Sequence, residues 1–258
     1  MSIRIGTAGW AVPRAIADRF PADLKGLQRY AARFDCAEIN TTFYRPHRAD
    51  TYARWRDSVP PGFRFAVKLR RTITHEARLA DCRGELDAFV AEVAGLGEAL
   101  GPLLVQLPPK LVFDPEVVPA FLEDLRARWA GPVAWEPRHA SWFAPEVDAV
   151  FADHRIARVA ADPPRHPDDT KPGGWSGLAY WRLHGSPRVY FSPYGGGRLA
   201  ALAVEIAASP AEERWCVFDN TASGAAAADA LDLKGRLGTF SPAVILRPRS
   251  GPEDPLVR

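Results

Sequence analysis

The stretch FRFAVKL, residues 63–69, alternates large apolar side chains with small or charged ones. In an extended strand its odd-numbered residues lie on one face, and its even-numbered residues, which end in Lys68, lie on the other. The apolar face is suited to packing against helices, so the face that carries Lys68 is expected to point into a closed sheet. The pattern therefore predicts one strand of a barrel that has polar side chains on its inner face.

The same alternation recurs along the chain, and in residues 133–138, VAWEPR, it places Glu136 and Arg138 on the inner face. Eight strand-like runs are present, at residues 3–8, 37–40, 63–69, 103–107, 133–138, 156–162, 179–185 and 214–220. Helix-period segments follow most of them, at residues 24–34, 48–58, 84–100, 115–129, 145–154, 199–208 and 222–237. Eight strands with helical crossovers in 258 residues predict an α/β fold, a TIM-type (β/α)8 barrel.

An open doubly wound sheet is the rival fold, but no GxGxxG or Walker A motif follows the first run. Residues 163–178, PPRHPDDTKPGGWSGL, lack an apolar period and are rich in Pro and Gly. We therefore expect a long loop in place of one crossover helix. No linker or internal repeat is visible, so residues 1–258 are predicted to form a single barrel domain with a Pro-rich tail at about 239–258.

Composition narrows the class of protein. Hydrophobic residues make up 47% of the chain and charged residues 25%, which excludes an intrinsically disordered protein. The net charge of +2 argues against nonspecific coating of nucleic acid. No apolar run reaches the roughly 20 residues of a membrane helix, so no membrane partner is expected. The start lacks the apolar core of a secretory signal and the 3 cysteines lie far apart, which together predict a cytoplasmic protein with reduced thiols.

Polar residues occupy the C-terminal ends of the predicted strands, and alternation directs them inward. They are Asn40, Lys68, Gln106, Glu136, Asp162, His184 and Asn220. Barrel enzymes place their chemistry at this rim, because the loops that follow the strands converge there. Burying so many polar groups costs several kcal/mol unless they pair or meet a ligand. The rim is therefore interpreted as a ligand site, with a salt-bridge network that satisfies itself as the alternative.

Eight ordered motifs carry a family resemblance. They are IGTAGW (5–10), EINTTFYRP (38–46), FRFAVKLRRTITH (63–75), LGPLLVQLPP (100–109), WEPRHASW (135–142), ARVAADPP (157–164), AYWRLHG (179–185) and FDN (218–220). In this order they resemble the YecE-like family, also called domain of unknown function 72. The resemblance covers residues 3–237 and implies a TIM-type barrel, and it leaves the reaction open.

Two motifs depart from the usual family pattern. The last motif usually reads Phe-Asn-Asn, whereas this chain has Asp219 at its middle position, which adds a negative charge near the rim. The first usually reads Gly-Trp-x-Tyr, whereas this chain has Val12 after Trp10 and Ala11. Any contact that the family's tyrosine makes is expected to be missing here.

General acid–base chemistry needs carboxylates or histidines at the rim whose pKa values are separated. We predict Glu136 as the principal acid or base, with His184 or His75 as its partner. Lys68 is predicted to act in catalysis or to hold an anion. The predicted substrate-binding residues are Asn40, Tyr44, Gln106, Arg138, Asp162, Arg182, Asn220 and Trp10.

Three functions follow from these residues. The first is an enzyme, of hydrolase or isomerase type, that acts by general acid–base catalysis on an anionic, phosphorylated or nucleotide-like small molecule. The second is a barrel that binds nucleic acid or another partner without catalysis. The third is a metal-dependent hydrolase or isomerase. No metal ligands or cofactor are predicted, and a divalent metal stays open because histidines and carboxylates could converge at the rim.

Overall fold

The computed structural model describes residues 2–239, and ten strands in this range form one sheet. The strands are β1 (Ser2–Ala8), β2 (Cys36–Ile39), β3 (Arg64–Lys68), β4 (Leu100–Gln106), β5 (Val133–Glu136), β6 (Ile156–Arg158), β7 (Ala160–Asp162), β8 (Gly173–Gly174), β9 (Leu178–Leu183) and β10 (Glu213–Phe218). The helices are α1 (Gly26–Ala31), α2 (Ala49–Asp57), α3 (Arg83–Val93), α4 (Val117–Arg128), α5 (Pro145–Asp153), α6 (Gly196–Ala208) and α7 (Ala225–Thr239).

The sheet closes into a TIM-type barrel through residues 156–162. Strands β1 to β5 pair in parallel in chain order, and β10 joins β1 to β9. The segment 156–162 completes the ring, because β6 pairs with β5 and β7 pairs with β9. Counting β6 and β7 as one segment, and setting aside the two-residue β8, the ring has eight positions. The predicted barrel is confirmed.

Side chains divide into an outer layer beneath the helices and an inner layer that fills the barrel. The inner layer contains Ala66, Leu104, Ala134 and Tyr180, as alternation predicts. It also contains Trp215, so the odd-numbered residues of the eighth run face inward, opposite to the parity that the prediction for Asn220 required. The rings of Tyr180 and Trp215 stack with centroids 6.1 Å apart. A Cβ atom at Gly101 would lie 2.8 Å from the Trp215 ring, so this position must lack a side chain.

The sixth strand segment has the opposite parity to the one predicted for it. Ala160 packs in the outer layer, whereas Ala157 and Val159 lie inside the barrel. Arg158 also points outward, where its Nε donates to Asp148 Oδ1 on α5 at 2.9 Å. Because Asp162 is polar, the even-numbered residues of this segment were predicted to face inward. That prediction was wrong, because polar side chains on the outer face form ion pairs with side chains of the helices.

The loop predicted at residues 163–178 is confirmed in outline. No α-helix lies between β7 and β9, where the chain instead forms a short 3-10 turn (Pro167–Thr170) and β8, which pairs antiparallel with β6. The predicted Pro-rich tail lies outside the described residues from position 240 onward. Among residues 2–239, no helix has both the length and the apolarity that crossing a membrane would require.

Candidate active site

Arg182 lies at the centre of the barrel's C-terminal end, where it joins three carboxylates. Its side chain is buried on β9, and its Nη2 lies 2.7 Å from Glu38 Oε1 on β2. The same nitrogen lies 3.0 Å from Asp219 Oδ2, and Nη1 lies 3.2 Å from Glu136 Oε2 on β5. The guanidinium thus connects strands from opposite sides of the ring, because alternation directs all of these side chains inward.

Tyr180, also on β9, provides a further hydrogen-bond donor to Glu38. Its hydroxyl donates to Glu38 Oε2 at 2.8 Å, while Nε of Arg182 donates to the two carboxylate oxygens at 3.1 Å. Glu38 is fully buried and both of its oxygens are occupied. Glu38 and Arg182 therefore form a buried ion pair whose carboxylate oxygens are fully hydrogen-bonded, and this pair supports the other inward side chains at this end of the barrel.

Glu136 is a buried carboxylate that accepts from several donors. Gln106 Nε2 donates to its Oε2 at 2.9 Å, His184 Nε2 lies 3.0 Å from Oε1, and Arg138 Nη2 donates to Oε1 at 3.3 Å. Burial alone would raise the pKa of Glu136, but Arg182 and His184 outweigh it and hold the pKa well below its usual range. Glu136 is therefore ionised near neutral pH and is a poor proton donor.

His184 is held between two carboxylates. Its Nε2 contacts Glu136 Oε1 and its Nδ1 lies 3.0 Å from Asp219 Oδ2. Burial lowers the pKa of His184, yet the charges and hydrogen bonds of Glu136 and Asp219 raise it above its ordinary value. Both ring nitrogens donate in the imidazolium form, which this arrangement favours.

The ammonium group of Lys68, at the end of β3, makes fewer hydrogen bonds than the guanidinium group of Arg182. Its Nζ donates to Gln106 Oε1 at 2.7 Å and lies 4.1 Å from the centre of the Phe43 ring. The side chain is 8% exposed, so it is largely removed from water. Burial, followed by the repulsion of Arg182, lowers the pKa of Lys68 to about 8.

His75 packs against the same aromatic ring from the loop after β3. Its ring meets Phe43 edge to face with centroids 5.0 Å apart, and Nδ1 lies 2.8 Å from Thr74 Oγ1. Burial, followed by the charges of Lys68 and Arg138, lowers the pKa of His75 to about 4. His75 is therefore neutral at physiological pH and lies in a positive field.

A cavity of about 420 Å³ opens beside the carboxylates of Glu38 and Asp219. It lies between the ends of β1, β2 and β10, and its wall includes Trp10, Asn40 and Asp219. The Trp10 ring is fixed edge to face against Trp55 and Phe65, at centroid distances of 5.1 and 6.3 Å. A cavity of this volume is within the range that small-molecule ligands occupy.

We refer to seven inward residues as the polar cluster. They are Glu38, Lys68, Gln106, Glu136, Arg182, His184 and Asp219, with Arg138 at its edge. Of the predicted site residues, the structure brings six together here, namely Lys68, Gln106, Glu136, Arg138, Arg182 and His184. His75 flanks the cluster through Phe43, and Asn40 and Trp10 line the cavity.

Three predicted substrate-binding residues lie elsewhere. Tyr44 is 79% exposed on the turn that follows β2. Asp162 turns outward, where its Oδ2 accepts from Arg198 Nε at 3.0 Å. Asn220 is fully buried, but its Nδ2 donates to Ser192 O at 3.0 Å and to Asp229 Oδ2 at 2.7 Å. Its side chain thus anchors a loop and turns away from the polar cluster.

Sequence reasoning left three contributors out of the site. Glu38 shares the inward face of β2 with Asn40, so parity could have found it. Asp219 stood out as a departure from the family motif. Phe43 is one of several aromatic residues in the loops after the strands, and only the folded chain places its ring beneath Lys68.

Metal binding finds little support in the side chains present. Among residues 2–239, no group of three or more His, Cys, Asp or Glu is arranged to hold a metal ion. His184 uses both nitrogens to contact carboxylates, and Arg182 occupies oxygens of Glu38, Glu136 and Asp219. A cation at the centre of the polar cluster would have to displace this guanidinium.

Both the sequence and the fold are similar to those of known proteins. Residues 4–253 match the family described as "Protein of unknown function DUF72". The chain belongs to the DUF72 family. A DUF72 family protein from Enterococcus faecalis superposes with a TM-score of 0.78 at 23% identity, covering 92% of this chain and 96% of that chain. One from Thermotoga maritima superposes with a TM-score of 0.75 at 25% identity, covering 92% and 100%.

Two curated relatives match by sequence. UPF0759 protein YecE of Escherichia coli K12 is 32% identical over 145 residues, which are 55% of this chain and 50% of YecE. UPF0759 protein YunF of Bacillus subtilis 168 is 31% identical over 150 residues, which are 55% of this chain and 53% of YunF. The matches thus span about half the length of each relative. DUF72 membership agrees with the barrel found here.

Proposed function

We propose that this DUF72 barrel is an enzyme that binds an anionic, phosphorylated small molecule at its C-terminal rim and acts on it by general acid–base catalysis. The observation that carries the proposal is the placement of two cations, Lys68 and Arg138, at one edge of the polar cluster, and their charges also act to lower the pKa of His75. Burial contributes most to that shift, and three cations, Lys68, Arg138 and Arg71, contribute the remainder. A positive field of this kind, at a largely dehydrated rim, favours a bound anion.

Lys68 and Arg138 are the groups suited to hold the anion. Lys68 gives one hydrogen bond to Gln106, so its ammonium retains hydrogens for a ligand. Arg138 contacts Glu136 at 3.3 and 3.4 Å, interacts with Tyr190 and is 14% exposed. A guanidinium has five N–H donors, so Arg138 also has donors to offer to a ligand. Two cations at one edge of the cluster match the charge of a phosphate group.

His75 and Lys68 form the acid–base pair that the geometry supports best. The Thr74 hydroxyl donates to Arg70 O at 3.2 Å and so accepts from Nδ1 of His75, which leaves Nε2 to accept a proton. An anion beside Lys68 and Arg138 would offset their charges and raise the pKa of His75 toward a useful range. Lys68, with a pKa of about 8, is mostly protonated at neutral pH and can return a proton.

The other predicted catalytic residues take positioning roles in this proposal. Glu136 is ionised and occupied by donors, so it holds Gln106, Arg182 and His184 in place and transfers no proton itself. Gln106 in turn orients the Lys68 ammonium. The acid–base function thus lies at the edge of the polar cluster, and the centre keeps that edge rigid.

Binding of inorganic phosphate, followed by calorimetry and by the imidazole signals of His75, tests the proposal. We expect phosphate to raise the pKa of His75 by about one unit or more, since a nearby opposite charge has that effect. Lys68→Met should weaken phosphate binding at least about tenfold, which corresponds to about 1.4 kcal/mol. Lys68→Met should still fold, because it removes a charge whose burial is unfavourable.

Lys110→Met is the matched control, because Lys110 is an exposed lysine after β4, and it should bind phosphate as the unmodified chain does. An unchanged pKa of His75 in saturating phosphate would refute the proposed site. Equal weakening by Lys68→Met and Lys110→Met, with a steep dependence on salt, would instead indicate a diffuse surface that binds polyanions such as nucleic acid.

A further inference from the structure

The cavity between β1, β2 and β10 differs in composition from the cationic edge of the rim, which is formed by Lys68 and Arg138. Its wall contains Trp10, Glu38, Asn40 and Asp219, and includes neither Lys68 nor an arginine. An anion would not be favoured there, because the wall offers it two carboxylates and no cation. The cavity therefore suits a neutral part of a ligand.

Asn40 provides the most specific observation in this cavity. Its Oδ1 is shielded from solvent and accepts no hydrogen bond from any group within residues 2–239. A shielded carbonyl oxygen without a donor costs about 1–3 kcal/mol, so it calls for a partner that the chain itself does not supply. Asn40 lines the cavity, so rotation of its side-chain amide would turn this oxygen toward a ligand there.

Asp219 offers a second acceptor on the same wall. Its Oδ2 is used by His184 and Arg182, while its side chain remains 11% exposed at the cavity. The charges of Arg182 and His184 outweigh burial and lower the pKa of Asp219, so the carboxylate stays ionised. Two oxygen acceptors, one amide and one carboxylate, select a ligand that carries hydroxyl donors.

Trp10 adds an aromatic face. Its ring is partly buried, lines the cavity and is fixed by Trp55 and Phe65. A rigid indole ring beside hydroxyl acceptors fits the alternating C–H and O–H surfaces of a sugar ring, since the ring supplies apolar contact and the oxygens accept from hydroxyls.

One turn of the chain connects the wall of the cavity to Lys68 of the cationic edge. Asn40 directly follows β2, and the 3-10 turn after it (Thr41–Phe43) carries Phe43, whose ring packs against the Lys68 ammonium. We infer that the cavity binds the sugar ring of a phosphorylated sugar whose phosphate lies on Lys68 and Arg138. This inference rests on the proposed function and adds the class of substrate to it.

Relative affinities test the inference. The probes are inorganic phosphate, D-ribose 5-phosphate, AMP and methyl β-D-ribofuranoside, each titrated by calorimetry with ligand-observed NMR for weak binding. We expect ribose 5-phosphate to bind at least about tenfold tighter than phosphate, which corresponds to about 1.4 kcal/mol. Asn40→Ala and Trp10→Ala should each bring that ratio close to one. Gln28→Ala, which removes an exposed amide on α1, should keep the ratio of the unmodified chain.

The outcomes separate the two proposals. Phosphate binding that depends on Lys68, with no preference for ribose 5-phosphate in the unmodified chain, overturns the sugar site and leaves the anion site standing. Binding of the riboside that depends on Asn40, without any phosphate binding, supports the sugar site and overturns the proposed function. Absence of binding by every probe overturns both. AMP binding tighter than ribose 5-phosphate would extend the sugar site to a nucleotide.

Discussion

Asp219 and His184 show how single residues set the charge of the rim. His184 is raised in pKa by two carboxylates, and one of them, Asp219, stands where the family motif usually has asparagine. An amide at that position could still accept from Nδ1 of His184, but it would bring no charge. The imidazolium form of His184 is therefore favoured in this chain by a residue that departs from the family pattern.

Asp219→Asn should lower the pKa of His184 by about one unit or more. A raised folded-state pKa stabilises the protein below the unfolded value of about 6.5, and the contribution is lost as pH rises through the folded pKa. The variant should therefore lose more stability relative to the unmodified chain at pH 6 than at pH 9. Imidazole NMR titration and thermal unfolding at the two pH values measure this. An unaltered His184 titration would contradict it.

At the scale of elements, the loop between β9 and α6 depends on a buried amide. Asn220 follows β10, and its Nδ2 reaches both Ser192 in that loop and Asp229 on α7. Asp229 Oδ2 also accepts from the backbone N–H of Tyr194 at 3.0 Å. One asparagine thus joins a loop, a strand end and a helix, which explains why it is buried without lining the site.

Asn220→Ala should destabilise the fold by about 1–3 kcal/mol, because it removes the side-chain donor of the buried Asp229 carboxylate and leaves that carboxylate only the Tyr194 amide. Thr221→Ala, at the exposed neighbouring position, should change stability by no more than about 0.5 kcal/mol. Urea unfolding gives both values, and hydrogen exchange at the Tyr194 amide should be faster in Asn220→Ala alone. Equal effects of the two substitutions would refute this role for Asn220.

At the scale of the whole molecule, Arg182 acts as a cross-brace inside the barrel. It connects residues on or just after β2, β5 and β10 from its position on β9. Burial of its own charge is unfavourable, but Asp219 and Glu38 outweigh this and raise the pKa of Arg182 well above its ordinary value. Removal of any one member would therefore leave a buried charge without its partner.

Arg182→Met should destabilise the protein by about 3–5 kcal/mol, since it leaves three buried carboxylates without their shared cation. Those carboxylates would take up protons at raised pKa values, so the loss should shrink as pH falls from 7 to 5. Arg198→Met, which removes a half-exposed partner of Asp162, should cost about 1 kcal/mol or less. Chemical unfolding at both pH values measures these differences. A loss for Arg182→Met that is independent of pH would contradict this account.

Local patterns in the sequence were enough to predict the barrel. Alternation in residues such as Val67 and Lys68 sets which face of each strand meets the helices, and the spacing of the strands sets their number. The same alternation predicted that Lys68, Gln106, Glu136, Arg182 and His184 would face inward together. It failed in the sixth strand segment, where Asp162 is polar and nevertheless points outward to Arg198, and after the eighth, where Asp219 faces inward in place of Asn220.

Only the tertiary structure decided what each inward residue can do. The sequence marked Glu136 as the principal acid or base, but its pKa depends on Arg182 and His184, which come from a strand more than 40 residues away. The field at His75 likewise sums the charges of Lys68, at the end of β3, and Arg138, just after β5. Strand periodicity is a local property that sequence carries directly, whereas a pKa depends on distances between residues that are remote in the chain.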